Sequence, residues 1–399
     1  MMTLNRPQPL RMDNDFAYRT MSERVPGIIR EVQSANADFS PSIQRALDRL
    51  HDMLTQNQPV PMLDQAPVPP PDFADWEAVY RAQQAKITPL TWLHCEWFFA
   101  ETFLYRHIIQ AVRWHETGRD PYAYKKRTEF ESAHFWKLLD AALAVDGPPA
   151  ERLGALLGLV LWGNRVDLSH PAGMLASETA SDDELLVDDR DRLLADLAPG
   201  GAAIEGGVVH IIVDNTGTEL AMDLAMADAL LSADGMTVVL HLKAHPTFVS
   251  DATIADVWTV FRALADHGGG PAQLAGRLER AWEEGRLRLA APLFWNSGRF
   301  LWDMPPDLRR AFEGARLVVI KGDANYRRAL GDAVWPDGVT FAEAMSYFPA
   351  PVVALRSLKS DTLAGVPASI TAPLDATGEA WRPTGRYGVI QYAGLAQGR

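Results

Sequence analysis

The chain has 399 residues, of which 47% are hydrophobic and 22% are charged, a composition typical of a soluble globular protein and unlike that of a disordered one. Its 38 Lys and Arg residues stand against 51 Asp and Glu residues, so the formal net charge is −13 at pH 7. Nucleic acids and anionic membranes bind basic faces, and the acidic balance therefore argues against both as partners. A small anionic substrate stays compatible with it, because a basic pocket can lie within an acidic molecule.

The single cysteine, Cys95, excludes an intrachain disulfide and a multi-cysteine zinc site, and is typical of a reducing cytosol. No segment approaches the ~18 consecutive apolar residues of a membrane-spanning helix. The first residues contain no apolar stretch of the kind found in secretory signals. We therefore expect a cytoplasmic protein.

The first half of the chain has helical periodicity. Residues 42–56 place their apolar side chains on one helical face, and residues 97–117 and 129–145 show the same pattern with many aromatics. The Pro-rich residues 58–72 predict an extended strap, because proline is excluded from helix interiors and central strands. Residues 181–196 are acidic and are interpreted as a solvated helix face that leads to a hinge.

The pattern changes after the glycines at 200–201 and 206–207, which mark a boundary. Short apolar runs predict strands at residues 208–213, 236–242, 286–291, 316–320 and 352–355. Amphipathic helices are predicted between them at residues 219–232, 253–265 and 307–314. This alternation predicts an α/β fold with a doubly wound, mostly parallel sheet sandwiched by helices. We predict a helical subdomain over residues 1–200 and an α/β subdomain for metal and substrate over residues 201–399.

Polar residues follow four of the predicted strands, and in an open parallel sheet ligands bind beyond the carboxyl ends of the strands. The first strand is followed by Asp214 and Asn215, and the loop after the second strand ends at Asp251. Two later strands are followed by the mixed segments KGDANYR (residues 321–327) and RSLK (residues 356–359). We therefore expect acidic and basic side chains to face each other at one edge of the sheet.

This mixture of side chains suits a phosphate ester. The oxygens of Asp214, Asn215 and Asp251 are ligands that a hard divalent ion such as Mg²⁺ or Mn²⁺ prefers. Cations that would neutralise phosphate oxygens are Lys321, Arg327, Arg356 and Lys359. Phosphoryl transfer depends mostly on positioning and charge stabilisation by such groups. Each residue alone is more often a helix cap, a turn or a surface charge, but their occurrence at four strand ends favours a site.

The motifs at these strand ends, taken together, carry a family resemblance. DNTGTE (214–219), KAHPTFVSD (243–251), KGDANYR and RSLK follow one another in the family's order and at its spacing. The chain resembles the damage-control phosphatases, in particular the subfamily that includes the acidic-residue methyltransferase-like proteins of eukaryotes. The resemblance extends from about residue 97 to residue 392 and is supported by ETFLYR (101–106), WGNRVDLS (162–169) and PTGRYGVIQY (383–392).

The resemblance implies a metal-dependent phosphatase that hydrolyses phosphate monoesters of sugars or related metabolites, damaged forms included. The implied cofactor is Mn²⁺, Co²⁺, Ni²⁺ or Mg²⁺, and the implied ligands are Asp214, Asn215 and Asp251, with Asp214 part of the catalytic machinery. A metal-activated water is the expected nucleophile. Either Asp251 or Glu219 would be its base, and Glu219 could instead contact the substrate or support the ligands.

The implied partner is a small phosphorylated metabolite. The loop expected to hold it comprises Asp323, Ala324, Asn325, Tyr326 and Arg327, and Lys359 is implied as the phosphate-binding lysine. Arg356, at the same strand end as Lys359, is a further candidate substrate contact. Asn164 either reaches the site from the helical subdomain or caps a helix end. Glu101 and Arg106 lie among aromatic residues, where an internal ion pair is expected.

Two other classes of function remain open. One is an S-adenosylmethionine-dependent carboxyl methyltransferase, although no glycine-rich cofactor loop follows the first strand. The other is a module that binds a phosphorylated metabolite without turnover. No GxSxG elbow, no GxxxxGK[ST] loop and no GxGxxG fingerprint after a strand appears, which argues against serine hydrolases, ATPases and dinucleotide enzymes.

Overall fold

A computed structural model describes residues 5–65, 69–163, 184–199, 204 and 206–395. Asn164 lies outside the described residues, as do Asp182 and Asp183 at the start of the acidic run, and the roles predicted for them stay predictions. No helix in the described ranges is long and apolar enough to cross a membrane.

One sheet organises the second half of the described chain. Its seven strands lie in the order β1-β7-β6-β5-β2-β3-β4, and all neighbours are parallel except β6 and β7. The α/β fold with a mostly parallel sheet is therefore confirmed. The strands are β1 (Leu185–Asp188), β2 (Gly207–Ile212), β3 (Met236–His241), β4 (Leu287–Ala290), β5 (Leu317–Lys321), β6 (Val352–Ser357) and β7 (Gly388–Ala393).

The sheet separates two hydrophobic cores, because successive side chains of a strand point to opposite faces. In β5, Leu317 and Val319 belong to the core on one face, whereas Val318 and Ile320 belong to the core on the other. Both faces are covered, and every residue of β5 is buried. This explains why the sequence of β5 is a continuous apolar run rather than an alternating one.

Helices cover both faces of the sheet and form a separate N-terminal layer. In the described ranges the α-helices are α1 (Asp15–Arg19), α2 (Val25–Ala35), α3 (Pro41–Thr55), α4 (Phe73–Lys86), α5 (Trp97–Ala111), α6 (Trp114–Thr117), α7 (Ala123–Lys126), α8 (Ala133–Leu143), α9 (Pro149–Gly163), α10 (Arg190–Leu197), α11 (Thr218–Leu231), α12 (Ile254–His267), α13 (Gly269–Glu283), α14 (Pro306–Phe312), α15 (Gly322–Leu330), α16 (Phe341–Ala344) and α17 (Ala368–Asp375). A π-helical turn, Thr20–Arg24, joins α1 to α2.

The N-terminal layer has a hydrophobic core of its own, built mostly from α1 to α5 and the segments between them. The predicted helix at residues 42–56 corresponds to α3, whose buried face carries Ile43, Leu47, Leu50 and Leu54. In the Pro-rich stretch, residues 58–65 form no helix, and the Tyr80 hydroxyl donates a hydrogen bond of 2.9 Å to the Val60 carbonyl.

Two strands differ from the sequence expectation. The interpretation of residues 181–196 as a helix face is wrong for Leu185–Asp188, which form β1 and pair with β7. β7 itself, Gly388–Ala393, was not predicted as a strand. Both are short, and their pairing depends on partners about two hundred residues apart in the chain, which local periodicity does not report. β1, α9 and α10 thus belong to the sheet layer, although they precede the predicted boundary at residue 200.

The helix predicted at residues 219–232 is present as α11, but it is buried all round, so the prediction that it is amphipathic is wrong. All of its 14 residues are buried, because α8 and α9 cover the face that a surface helix would expose. The approach of α9 is close: a Cβ added at Gly163 would lie 2.9 Å from Cγ of Met222.

The expectation that Glu101 and Arg106 form internal ion pairs is confirmed, with a separate buried partner for each. The Arg106 guanidinium donates to both carboxylate oxygens of Asp72, at 2.5 and 3.0 Å. The Glu101 carboxylate accepts from Arg327 at 2.7 Å. Both side chains of α5 therefore connect this helix to other elements.

Burial in the N-terminal layer predicts a pH dependence of stability. Burial, together with the charge of Arg106, lowers the pKa of His107 to about 3. Unfolding restores the usual pKa of about 6.5, so the unfolded chain takes up the proton and stability is lost as the pH falls below about 6.5. Between pH 7 and pH 5 the free energy of unfolding should fall by about 2 kcal/mol more in the wild type than in His107→Phe. Denaturant titration at both pH values measures this difference.

The matched control is His94→Phe, which changes an exposed histidine of the same layer. It should keep the pH dependence of the wild type. Equal pH dependence in His107→Phe and His94→Phe would contradict the assignment of a neutral, buried His107.

Candidate active site

Two loops meet at the carboxyl end of the sheet and bring the predicted metal ligands together. Asp214 and Asn215 follow β2, and Asp251 ends the loop after β3. The Ala252 amide donates to the Asp214 carbonyl at 2.8 Å, and Asn215 and Asp251 form an isolated β-bridge. Since these bonds join the backbones, the three side chains are placed by main-chain geometry.

The loop before Asp251 has a strained backbone. Phe248 and Val249 have φ angles of 48° and 72°, a region that costs of order 1–3 kcal/mol per residue and is rare for a β-branched side chain. The Val249 side chain lies in the core of the N-terminal layer, and the Phe248 ring packs against Tyr105 at 4.9 Å between centroids. Packing against the helical layer therefore stabilises the loop conformation that presents Asp251.

Asp214 is buried close to other negative charges. Burial raises the pKa of Asp214 well above its usual range, and the charges of Asp251 and Glu219 raise it further against the opposing effect of Lys243 and Lys359. The start of α15, directly after β5, lies close to Asp214. A Cβ at Gly322, where φ is +77°, would lie 1.8 Å from Oδ2 of Asp214. Glycine is therefore required at position 322 of the KGDANYR motif.

A buried network lies behind Asn215. The Asn215 amide donates to Oε2 of Glu219 at 2.9 Å, and its carbonyl oxygen accepts from the Ser250 hydroxyl at 2.6 Å. Nζ of Lys321 lies 2.8 Å from Oε1 of Glu219 and 3.1 Å from Oδ1 of Asp223. Burial lowers the pKa of Lys321, but the charges of Asp223 and Glu219 raise it above its usual value, so the lysine is charged. The network holds the Asn215 side chain in one orientation.

Lys243 supports the other ligand loop. Its Nζ atom lies 3.0 Å from Oδ2 of Asp251, and both side chains are about 2% exposed. Nζ also donates to Oδ1 of Asn325 at 3.4 Å. This lysine belongs to the KAHPTFVSD motif, but its position gave no signal of a role, because it comes eight residues before the carboxylate it contacts.

The loop after β6 is held by Asp323. Burial alone would raise the pKa of this carboxyl, but the charges of Arg356 and Arg327 hold it below its usual range. Asp323 accepts from Nε of Arg356 at 2.7 Å and from the backbone amide of Lys359 at 3.1 Å. Asp323 therefore sets the position of Lys359 at the mouth of the site.

A cavity of about 60 Å³ opens at the centre of these residues, large enough for a few waters or one small group. The sheet layer contributes Asp214, Asn215, Phe248, Asp251, Asp323, Ala324, Arg327 and Lys359 to its wall. The helical layer contributes Phe16, Arg24, Trp97 and Glu101. These four residues were not predicted to line the site, because no local pattern reports which helix face covers a sheet edge.

Three residues predicted to contact substrate do not line the cavity. Arg356 is fully buried and donates to Asp323, Ser360 and Thr362. The Tyr326 hydroxyl donates to Gln391 at 2.7 Å, and the Asn325 amide donates to the Lys321 carbonyl at 2.9 Å. The polar atoms of Arg356, Tyr326 and Asn325 are thus engaged inside the protein, and substrate contact by these residues stays a prediction.

Glu219 also lies behind the cavity wall, 2% exposed, with its two oxygens in contact with Lys321 and Asn215. Arg327 reaches the wall but is held between Glu101 at 2.7 Å and Asp332 at 2.7 Å. Its guanidinium carbon lies 3.6 Å from the ring centroid of Trp97.

The donor set fits a hard divalent ion. Asp214, Asn215 and Asp251 offer two carboxylates and an amide oxygen, which are ligands that leave open positions for water or substrate. Asp214 is buried beside the charges of Asp251 and Glu219, which a divalent cation would neutralise. In the described part of the chain no three His, Cys, Asp or Glu side chains form a metal-binding group, so such an ion would depend on the Asn215 oxygen as well.

The chain is similar to known proteins over most of its length. The family model described as the damage-control phosphatase ARMT1-like domain matches residues 20–372. Proteins named damage-control phosphatase ARMT1 are similar over nearly their whole length. The protein of Danio rerio is 28% identical, with 97% of this chain and 97% of that protein covered, and the protein of Homo sapiens is 26% identical, with 95% and 96% covered.

A solved structure supports the fold. The crystal structure of a DUF89 family protein from Pyrococcus horikoshii has a TM-score of 0.51 and 14% identity to this chain, and the match covers 95% of this chain and 97% of that one. The resemblance inferred from the strand-end motifs is confirmed by the family match, which spans most of the chain. The chain belongs to the family of ARMT1-like damage-control phosphatases.

Proposed function

We propose that this protein hydrolyses phosphate monoesters of sugars or related metabolites, damaged forms included, with a bound divalent ion. The observation that carries the proposal is the cavity wall itself, where Asp214, Asn215 and Asp251 lie together with Lys359. Membership of a phosphatase family supports the reaction class. When bound by the first three residues, Mn²⁺, Co²⁺, Ni²⁺ or Mg²⁺ would activate water and neutralise phosphate charge.

Lys359, Asp323 and Asp251 have different roles in the proposed reaction. Lys359 binds the non-bridging oxygens of the phosphate, and Asp323 positions Lys359 through its backbone amide. Asp251 accepts a proton from the attacking water, because it lines the cavity, whereas both oxygens of Glu219 contact other side chains behind it. A new bond forms between phosphorus and the water oxygen, the bond to the ester oxygen breaks, and the leaving oxygen takes up a proton.

Glu219 then acts through Asn215 rather than on the substrate. Its carboxylate fixes the amide group of Asn215, and Lys321 balances its charge. Of the two candidate bases, Asp251 is therefore the base, and Glu219 is a positioning residue.

Removal and return of metal tests the reaction class. We expect chelator-treated protein to release no phosphate from sugar phosphates or from a chromogenic phosphomonoester. Phosphate release should return on addition of at least one of Mn²⁺, Co²⁺, Ni²⁺ or Mg²⁺. Asp214→Asn should stay inactive with every metal, losing at least about a thousandfold in rate, because the site loses one ligand charge.

The control for Asp214→Asn is Asp307→Asn, which makes the same change at an exposed position in the first turn of α14. It should keep full activity. Failure of the wild type to release phosphate from any ester with any metal would contradict the proposed function, and detectable methyl transfer to protein carboxylates would replace it.

Lys359→Ala should weaken substrate binding more than turnover. A charge-assisted hydrogen bond is worth about 1.5–3 kcal/mol, so we expect KM to rise by about tenfold to a hundredfold while kcat changes less. Steady-state kinetics with the best substrate of the panel measures both constants. Lys137→Ala, at an exposed position of α8, is the control. An unchanged KM in Lys359→Ala would remove this residue from the phosphate site.

A further inference from the structure

Arg24 enters the cavity wall from an unusual backbone segment. It is the last residue of the π-helical turn Thr20–Arg24, in which the Val25 amide donates to the Thr20 carbonyl five residues earlier. The next residue, Pro26, has no amide hydrogen and cannot donate to the preceding turn, which favours the wider turn at this point. π-Helical turns are rare and occur frequently at functional sites.

The Arg24 side chain has no partner in the described part of the chain. It is half-buried, its Nε atom is buried without a hydrogen bond, and no ion pair to it is found among the described residues. The neighbouring arginines differ: Arg327 pairs with Glu101 and Asp332, and Arg356 pairs with Asp323. A buried donor left unpaired is costly, so an unpaired guanidinium at a cavity wall indicates a ligand.

The segment that carries Arg24 is fixed to the sheet layer. The Leu10 amide donates to the Asp332 carbonyl at 2.7 Å, and the Trp97 amide donates to the Leu10 carbonyl at 2.9 Å. The Asn14 side chain donates to Asp361 at 2.7 Å, in the loop that follows Lys359. These contacts keep the N-terminal segment beside the site, so that Arg24 holds a defined place opposite the strand ends.

We propose that Arg24 binds the phosphate group of the substrate, from the side opposite to the strand ends; this rests on the proposed function. The cavity of about 60 Å³ has room for one small group, and a phosphate in it meets both Lys359 and Arg24. The planar guanidinium has parallel N–H groups that match two oxygens of a phosphate, which a lysine cannot do. The helical layer is then a part of the binding site and not only its cover.

The test is the affinity for inorganic phosphate in the presence of Mg²⁺, measured by isothermal titration calorimetry on the full chain. We expect Arg24→Gln to raise the dissociation constant at least about tenfold, because one charge-assisted pair of hydrogen bonds is lost. Arg24→Lys keeps the charge but lacks the parallel N–H groups of the guanidinium. Its dissociation constant for phosphate should lie between those of Arg24→Gln and the wild type.

The matched control is Arg19→Gln, which removes an exposed arginine at the end of α1, directly before the same π-helical turn. It should bind phosphate like the wild type. Unfolding of Arg24→Gln, monitored by circular dichroism, leaves Arg24→Lys as the deciding variant.

Phosphate affinity of Arg24→Gln equal to that of Arg19→Gln would overturn the proposal, as would a wild type that binds no phosphate. A loss of affinity for sugar phosphates with unchanged affinity for inorganic phosphate would also overturn it, because Arg24 would then bind the organic part. A wild type that binds phosphate but hydrolyses no ester would contradict the proposed function alone, and the comparison of the Arg24 variants would still decide this inference.

Discussion

Buried carboxylates at the carboxyl end of the sheet need compensating charge, and the placement of that charge determines the geometry of the site. Lys321 compensates Glu219 and Asp223, Lys243 compensates Asp251, and Arg356 compensates Asp323. The side chains of these pairs are at most 12% exposed, and removal of one partner would leave an unpaired charge in the interior. The pairs thus hold in place the side chains and loops that reach the cavity, while the buried Asp214 would be compensated by the divalent ion of the proposed function.

The same constraint connects the two layers of the protein. Glu101 of α5 reaches across to Arg327 of α15, and Trp97 covers the guanidinium at 3.6 Å. Phe248 and Val249 extend from the sheet layer into the helical core and hold the strained loop before Asp251. Because side chains of each layer contact the other, the helical layer and the strand ends together line one cavity. In the proposed role of Arg24, the helical layer also contacts the substrate.

The division between residues that touch the cavity and residues that support them is clear in the segment 321–327. Asp323, Ala324 and Arg327 line the cavity, whereas Lys321, Asn325 and Tyr326 are directed into the protein. The segment begins at the end of β5 and continues as α15, so successive side chains point in different directions. A motif in the sequence therefore contains both kinds of residue, and the helical geometry decides which residue has which role.

The sequence by itself determined the sheet, the strand ends and the family, because buried parallel strands are continuous apolar runs and the polar motifs directly follow them. It therefore predicted Asp214, Asn215, Asp251 and Lys359 as site residues, and these four lie together in one cavity wall. Only the tertiary structure decided that β1 and β7 complete the sheet, that Arg356 is internal, and that Arg24 and Trp97 line the cavity. These features depend on pairing and packing between residues far apart in the chain, and local periodicity carries no information about such contacts.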